Sequence, residues 1–476
     1  MLLKTLLKDI AKIDSAFENI DVKGISFDTN SIKKGDLFFC LKGKNTDGHE
    51  FLQEAKNKGA CAAVVEKKNN KIDIPQIAVE CTRKTLCLVC SAFYGSPEKA
   101  LKLIGVTGTN GKTTTTQILK NIFISAGKKV GVIGTLGYYI NNTHFKTNLT
   151  TPDPTTLYEI LSHFKKESVE FVFMEISAHA IFLHKLYGLK FEVGVLTNIT
   201  QDHLDFFENM ELYSKTKLNF LKSSSVKTLV VNADDESYEH FFETDHFSYA
   251  IKNPADSFAL DIVLSLGESN YALNILDNVF LVSTRLSGEF NVYNALAACT
   301  VALLMGIDVG TVKYALETME DINGRFNVIS SKKGKIVVDF AHTPDGLEKI
   351  LIAVRKASNL KKIICVFGCN GNRDRLKRPI MGRIAERLAD EIILTSDNPR
   401  FENADLIIDD ILQGVEDKTK FMREPDRKKA IGLGVEMLDD QSVLVICGKG
   451  GEKYQDINGV NVPYDDFEVV KSFIEN

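Results

Sequence analysis

No apolar run in this 476-residue chain approaches the roughly 20 residues of a membrane span. The first residues, MLLKTLLKDIAKID, alternate apolar side chains with lysines at helical spacing and lack the continuous apolar core of a signal peptide. Charge of one sign is missing too: 58 basic against 63 acidic residues leave −5, which argues against nucleic acid and anionic membrane surfaces as partners of the whole chain. Any anion must be met by a local site. The nine cysteines are odd in number and show no disulfide rhythm. Cys87 and Cys90 form a C-x-x-C without a second pair or a histidine partner, so they read as buried or half-buried thiols rather than zinc ligands. Reducing cytoplasm is the expected compartment. Tandem repeats, low-complexity tracts and long charge runs are absent as well.

What is present is most telling at 105–116, GVTGTNGKTTTT. An apolar segment, Leu103 to Val106, feeds a loop of small residues that ends in Gly111-Lys112-Thr113, and an amphipathic helix pattern follows. Backbone N–H groups of such a loop and of the helix start point at a phosphate, lysine adds positive charge, and the next hydroxyl can hold the magnesium of a nucleoside triphosphate. The strict pattern has glycine where this chain has Val106.

The length suggests about three domains. Residues 1–95 show short strands at 22–29, 35–43 and 60–66, and Tyr94-Gly95-Ser96-Pro97 is the linker candidate. Through 96–326, runs such as KKVGVIG, FVFMEIS, FEVGVLTNI and KTLVVNAD alternate with helices, which implies βαβ units and a mostly parallel sheet covered on both faces. A second alternating block fills 327–476, with strands at 335–342, 361–368, 391–396 and 442–450 and a helix at 378–390. The expected class is α/β: a smaller α/β N-terminal domain, a central phosphate-loop ATPase domain with a parallel or mixed sheet, and a C-terminal Rossmann-like domain.

Ligands in open α/β sheets bind at the carboxyl ends of strands, and here those ends are unusually polar. They deliver Glu175, Ser177 and His179; Asn198, Asp202, His203 and Asp205; Asp339 and His342; Asn370, Asn372 and Arg373; Asp397-Asn398-Pro399-Arg400; and Gly448-Lys449-Gly450-Gly451-Glu452. Glu175 is placed to hold magnesium directly or through water, or to cap a helix. His203 reads as a ligand or as a satisfied structural histidine. Arg400 could grip a carboxylate bidentately or lie on the surface.

These residues carry a resemblance that spans the chain. GTNGKTTT, Glu175, TNITQDHLD, GEFNVYNALAA at 288–298, GRF at 324–326, DFAHTPD at 339–345 and DNPR at 397–400 resemble the ATP-dependent Mur ligases of peptidoglycan precursor synthesis. The resemblance implies domains for the UDP-sugar, for ATP and for the amino acid at 1–95, 96–326 and 327–476. Among those ligases it points to the step that adds meso-diaminopimelate to the D-glutamyl γ-carboxylate of UDP-N-acetylmuramoyl-L-alanyl-D-glutamate, through an acyl phosphate. An L-lysine-adding ligase or a folylpolyglutamate synthase-like enzyme is the alternative.

The residue roles that follow are implied by the same resemblance. Lys112, Glu175, His203 and Lys217 are catalytic, and Thr113, Glu175, His203 and carbamylated Lys217 serve magnesium. ATP meets Gly108, Thr109, Asn110, Gly111, Lys112, Thr113 and Thr114, with Asn291, Asn294, Arg325, Asp339 and His342. The UDP-sugar peptide meets Thr29, Thr150, Thr151, Ser177 and Lys185. Diaminopimelate meets Arg373, Asp397, Asn398, Pro399, Arg400, Gly448 and Glu452. The implied cofactors are ATP and Mg2+, the partners are these small molecules alone, and a cytoplasmic monomer is expected. Departures from the family pattern are Thr29-Asn30 where Ser-Arg is usual, Leu183 and Lys185 where Gln and Arg are common, and Gly451 in place of His.

Overall fold

The apolar runs become strands almost where the pattern puts them. The computed structural model describes residues 1–43, 46–147, 149–358 and 360–475, which divide into two units. The first comprises Met1–Gly105, Lys128–Gly194 and Asn219–Lys227; the second comprises Val106–Gly127, Val195–Leu218 and Thr228–Asn476. The class is α/β, and among the described residues no helix is long and apolar enough to cross a membrane.

In the first unit, Gly24–Ser26, Asp36–Phe39, Ala62–Val65 and Gln76–Ala78 form a four-stranded parallel sheet. Phe38, Cys40, Ala63 and Val65 pack there with Leu52, Ala55 and Ile74. The helical pattern at the N-terminus yields only the short helix Leu3–Leu6. Helix Thr82–Phe93 carries Cys87 and Cys90 as buried free thiols, and burial pushes the Cys87 thiol up to about 12. The same unit pairs Val130–Gly134 in parallel with Phe171–Ile176, whose end presents Glu175. A hairpin missing from the sequence reading, Gly137–Ile140 with Thr143–Phe145, extends from Val130–Gly134 in antiparallel fashion.

In the second unit the expectation of a mostly parallel sheet covered on both faces needs correction. Phe247–Ala250 pairs in parallel with Ser257–Ser265, but Ser257–Ser265, Glu268–Ile275 and Asn278–Thr284 form an antiparallel meander. The middle strand alternates buried with less buried residues, and Leu260, Val263, Val279 and Leu281 of its neighbours are exposed. Period-two alternation with short turns at Leu266-Gly267 and Leu276-Asp277 is hairpin chemistry, which suits a sheet with one open face.

The C-terminal sheet runs Asn327–Ser330, Lys335–Asp339, Ser442–Cys447, Lys362–Phe367, Glu391–Leu394, Phe421–Arg423. All its pairs are parallel except the first. Helices cover both faces. Pro344–Ala357, Lys377–Leu388 and Ala404–Leu412 share one core, and Arg427–Glu436 and Asp466–Ile474 share the other. Ser442–Cys447 lies between Lys335–Asp339 and Lys362–Phe367, so the chain order breaks there and the carboxyl ends open a crevice in the manner of doubly wound sheets.

A fully buried ion pair fastens the two helices of the second face: Arg427 Nε and Nη2 donate to Asp466 Oδ1 and Oδ2, both at 2.8 Å, and Nη2 also reaches Cys447 O at 3.0 Å. Removing one partner strands a buried charge. Arg427→Ala is therefore expected to cost about 3–5 kcal/mol in chemical denaturation, and Arg427→Met with Asp466→Leu far less.

Candidate active site

The phosphate loop is built by close backbone approach. Val106 lies fully buried inside strand Lys102–Thr107, so the glycine requirement moves to Gly108. Gly108 has φ +147°, and a Cβ there would stand 1.9 Å from Thr197 Oγ1. Thr197 in turn donates to Asn110 O at 2.6 Å, Asn110 N donates to Asn198 Oδ1 at 2.9 Å, and Thr109 N donates to Asn198 O at 2.9 Å. Gly111, in the left-handed region at φ +86°, turns the chain into helix Lys112–Ser125. Thr109 Oγ1 lies 3.0 Å from the Tyr213 hydroxyl and donates to Thr200 O at 3.0 Å, while Thr114 is buried.

Around this loop the structure gathers most of the residues expected to serve ATP. Lys112 Nζ donates to Gly108 O at 2.9 Å and Thr109 O at 2.7 Å. Lys217, on helix Met210–Leu221, is 1 % exposed, and its Nζ donates to the same Gly108 O at 2.9 Å. Burial, with repulsion from Lys112, pushes the Lys217 pKa far down against the pull of Asp202. Arg325 Nη2 donates to Thr113 Oγ1 at 3.2 Å, and its guanidinium lies 4.3 Å from the Phe340 ring centroid. Asn294 accepts from Thr115 Oγ1 at 3.3 Å and donates to Asn291 Oδ1 at 3.0 Å. Burial raises the Asp339 carboxyl although Arg325 pulls it down; its oxygens accept from Phe326 N and Ala341 N. His342 shares the Asp202 cluster described next, rather than a place beside the asparagines.

Asp202 is that cluster's centre. Its buried carboxylate lies 3.2 Å from His203 Nε2, 3.7 Å from Lys377 Nζ and 4.0 Å from His342 Nε2. Burial pulls its pKa up, but Lys377, His203 and His342 outweigh that and hold it well below the carboxylate range. Burial also lowers the His342 pKa, with Lys377 adding to it, so that imidazole is held neutral.

The first unit contains Glu175 and the residues expected for the UDP-sugar peptide. Glu175 is 1 % exposed and accepts from Thr135 N and Thr135 Oγ1, both at 3.0 Å. Thr135 Oγ1 is 3.0 Å from Thr150 Oγ1; Thr151 Oγ1 donates to Glu175 O at 2.8 Å and accepts from Ser177 N at 3.0 Å. Lys185 pairs with Asp153 at 2.7 Å. Thr29 starts a short 3₁₀ turn near the four-stranded sheet, where its carbonyl accepts from Lys58.

The carboxyl ends of the C-terminal sheet bring together the residues expected for diaminopimelate. Asp397 is fully buried, and burial raises its pKa against the pull of Lys449 and Arg427. Glu452 Oε2 accepts from Lys449 Nζ at 2.9 Å and Asn398 Nδ2 at 3.1 Å. Gly448 has φ +115° and passes close over Asp397 Oδ2. Arg400, at φ +54°, has Asp456 Oδ2 3.6 Å from its Nε, and Pro399 O accepts from Glu402 N. Burial lowers the Arg373 pKa and repulsion from Arg400 adds to it, so the two guanidinium groups feel each other. Asn370 Oδ1, Asp397 Oδ1 and Arg400 Nε are buried without a hydrogen-bond partner. Buried orphans of this kind ask for a polar ligand.

Sequence models of known families match three stretches: the Mur ligase family catalytic domain at 21–94, the Mur ligase middle domain at 106–302, and the Mur ligase glutamate ligase domain at 324–450. The chain belongs to the Mur ligase family. A relative from Aquifex aeolicus named UDP-N-acetylmuramoyl-L-alanyl-D-glutamate--2,6-diaminopimelate ligase is 40% identical over 97% of this chain and 95% of its own length. A solved structure of a ligase with the same name is 30% identical, with a TM-score of 0.69 over 100% of this chain and 99% of that one. A Mycobacterium tuberculosis folylpolyglutamate synthase bound to ADP and AMPPCP is 15% identical, with a TM-score of 0.65 over 77% of this chain, and shows the fold alone.

This Mur ligase also buries, among its expected site residues, two lysines to which the sequence reading gave no role. Lys377 opened a helix expected from 378 and looked like one surface lysine among many, yet it is 3% exposed and donates to His342 O at 2.9 Å. Lys449 stood inside the glycine run at a strand end, a signal that could have found it; it is fully buried and donates to Asn398 Oδ1 at 2.9 Å. Among the described residues, no three His, Cys, Asp or Glu side chains cluster as metal ligands.

The depressed Lys217 pKa has a pH signature. The unfolded chain keeps this proton to about pH 10.4 and the folded chain gives it up lower, so folding is progressively favoured as pH rises between the two values. In CO2-free buffer, the stability of the native chain minus that of Lys217→Met is expected to grow between pH 7 and 10, by at most about 1.4 kcal/mol per pH unit. A flat difference in urea midpoints would mean a charged Lys217 in the folded state.

Proposed function

We propose that this chain joins meso-diaminopimelate to the D-glutamyl γ-carboxylate of UDP-N-acetylmuramoyl-L-alanyl-D-glutamate, converting ATP to ADP and phosphate. The observation that carries the acceptor is the pair of arginines, Arg373 and Arg400, beside the buried unpartnered oxygens of Asn370 and Asp397. Diaminopimelate differs from lysine by a carboxylate at its far end, and an arginine fork suits that group. The full-length likeness to ligases named for this acceptor supports the same choice. The domain ranges 1–95, 96–326 and 327–476 are the assignment we adopt for the UDP-sugar, ATP and amino acid.

A carboxylate and an amine do not condense in water without activation. The γ-phosphoryl group passes from ATP to the glutamyl carboxylate, the free amine attacks the acyl phosphate carbon, and phosphate leaves with the C–O bond broken. Such transfer needs positioning and charge neutralisation more than a protein nucleophile. Lys112 contacts the β and γ phosphates in this reading, and the turn at Gly111 with the start of helix Lys112–Ser125 cradles them, while the Thr109 and Asn110 amides stay bound to Asn198. His342 and Asn294 serve the nucleotide side, and Glu452 takes the ammonium of the amino acid.

Magnesium suits the donor types present, since it takes few protein oxygens beside water and phosphate. In the second unit Thr113 would hold it and His203 would assist; bound there it would offset phosphate charge. Lys217 serves as a carbamate in this proposal. Its burial favours the neutral amine, which adds to CO2 with loss of one proton and becomes an anion. A carbamate carbon signal in 13C-bicarbonate-labelled protein, lost in Lys217→Met, is the expected readout, and an unchanged spectrum would remove this role.

Phosphate release with ATP and magnesium is expected to need both the UDP-dipeptide and meso-diaminopimelate, with L-lysine at least tenfold poorer. Arg400→Ala should cost diaminopimelate use 100-fold or more while ATP binding changes less than threefold, on the scale of about 3 kcal/mol for a lost charge-assisted contact. Equal loss on both substrates would count against the arginine's role.

A further inference from the structure

Helix Lys377–Leu388 carries an arginine that touches no expected ligand residue side chain to side chain, yet is wired to both loops of the amino-acid site. Arg378 is fully buried. It forks onto Glu402, Nη1 to Oε2 at 2.8 Å and Nη2 to Oε1 at 3.0 Å. Nη2 also donates to Asn370 O at 3.0 Å, and Nη1 to Asp410 Oδ2 at 2.8 Å. One guanidinium thus holds the loop that leads to Arg373 through Asn370, and the loop that follows Arg400 through Glu402.

The two loops are also laced to each other. Gly371 N donates to Asn398 O at 2.9 Å, Phe401 N donates to Asn372 Oδ1 at 3.1 Å, and Glu402 accepts from Asn372 N. A Cβ on Gly371 would stand 1.9 Å from Pro399 O, so the backbones touch. Arg400 holds left-handed backbone at φ +54°, which a long side chain adopts where the surroundings impose it; Asn372, at φ +52°, is a residue type that accepts this conformation. The restraint has a physical purpose. Arg373 and Arg400 carry like charge, each faced by one carboxylate, Asp205 at 4.0 Å and Asp456 at 3.6 Å, and the laced loops fix the backbone positions from which both side chains start.

We infer that Arg378 is a positioning residue that clamps the Asn370–Arg373 and Pro399–Glu402 loops together, setting the separation of Arg373 and Arg400 and with it the preference for an amino acid bearing a second carboxylate. The inference rests on the proposed diaminopimelate role of those two arginines. A lysine cannot replace the clamp, because one ammonium cannot span Glu402, Asp410 and Asn370 O with a planar fork.

The test is steady-state phosphate release by Arg378→Lys, Glu402→Gln, Arg400→Ala and Glu386→Gln, with meso-diaminopimelate, with L-lysine, and with ATP varied. Arg378→Lys and Glu402→Gln are expected to raise the KM for diaminopimelate tenfold or more, keep the ATP KM within twofold, and shrink the preference for diaminopimelate over lysine by a similar factor. Among the described residues the Glu386 carboxylate accepts from the Glu416 and Asp417 amides and its backbone carbonyl from Lys420, so Glu386→Gln should leave that preference intact. If Arg378→Lys does not fold, Glu402→Gln decides alone. Equal loss on both acceptors, an unchanged diaminopimelate KM, or the same shift in Glu386→Gln would overturn the inference. Arg400→Ala without effect on the diaminopimelate KM would instead sink the underlying assignment; a large effect there, with none in Arg378→Lys and Glu402→Gln, would sink the clamp alone.

Discussion

Two lysine side chains reach for one carbonyl oxygen. Lys112 and Lys217 both donate to Gly108 O, one from the start of the phosphate-loop helix and one from a helix a hundred residues later. Two ammonium groups in a low-dielectric pocket repel strongly, and a neutral amide oxygen offsets little of that. The arrangement can relax by discharging Lys217, which its burial favours, or by taking up anionic oxygens. Either way the loop is tensioned toward negative charge. The rest of the second unit's site is organised around keeping that loop in place: Thr197, Asn198 and Tyr213 pin its backbone and hydroxyls, and Arg325 meets Thr113.

The same logic recurs at the other end of the chain with a different outcome. In the C-terminal sheet the charges that serve structure face carboxylates, as in Arg427 with Asp466 and the Arg378 Nη groups with Glu402 and Asp410. At the crevice the polar groups are left short of hydrogen bonds: Asn370 Oδ1 has none, and Asp397 Oδ1 and Arg400 Nε meet opposite charges only at 3.7 and 3.6 Å, from Lys449 and Asp456. A fold can leave polar atoms unmet where a ligand meets them, because the cost is recovered on binding. Between the two sites lies Asp202, whose carboxylate collects His203, His342 and Lys377 from segments far apart in the chain.

Much of this was legible from sequence because strand ends are local events. Apolar runs of four to seven residues closed by Glu175, Asp339, Asp397 or Gly448 declared both the strands and the polar rim above them. The meander at 257–284 was not read, although its middle strand alternates with period two, because its strands carry many polar residues and their pairing is provided only by the folded sheet. Lys377 was silent, and Lys217 spoke only through the family resemblance: a lysine on a helix reads as solvated, and only burial against a distant loop says otherwise.

By itself the chain determined that a phosphate loop precedes a helix, that the class is α/β, and which polar residues crown the strands, because each follows from spacing within one element. Tertiary structure alone decided which of those residues meet, which lysine has its pKa pushed down, and that Arg378 ties Asn370 to Glu402. Burial and charge coupling act between segments dozens to hundreds of residues apart, and no local pattern encodes those distances.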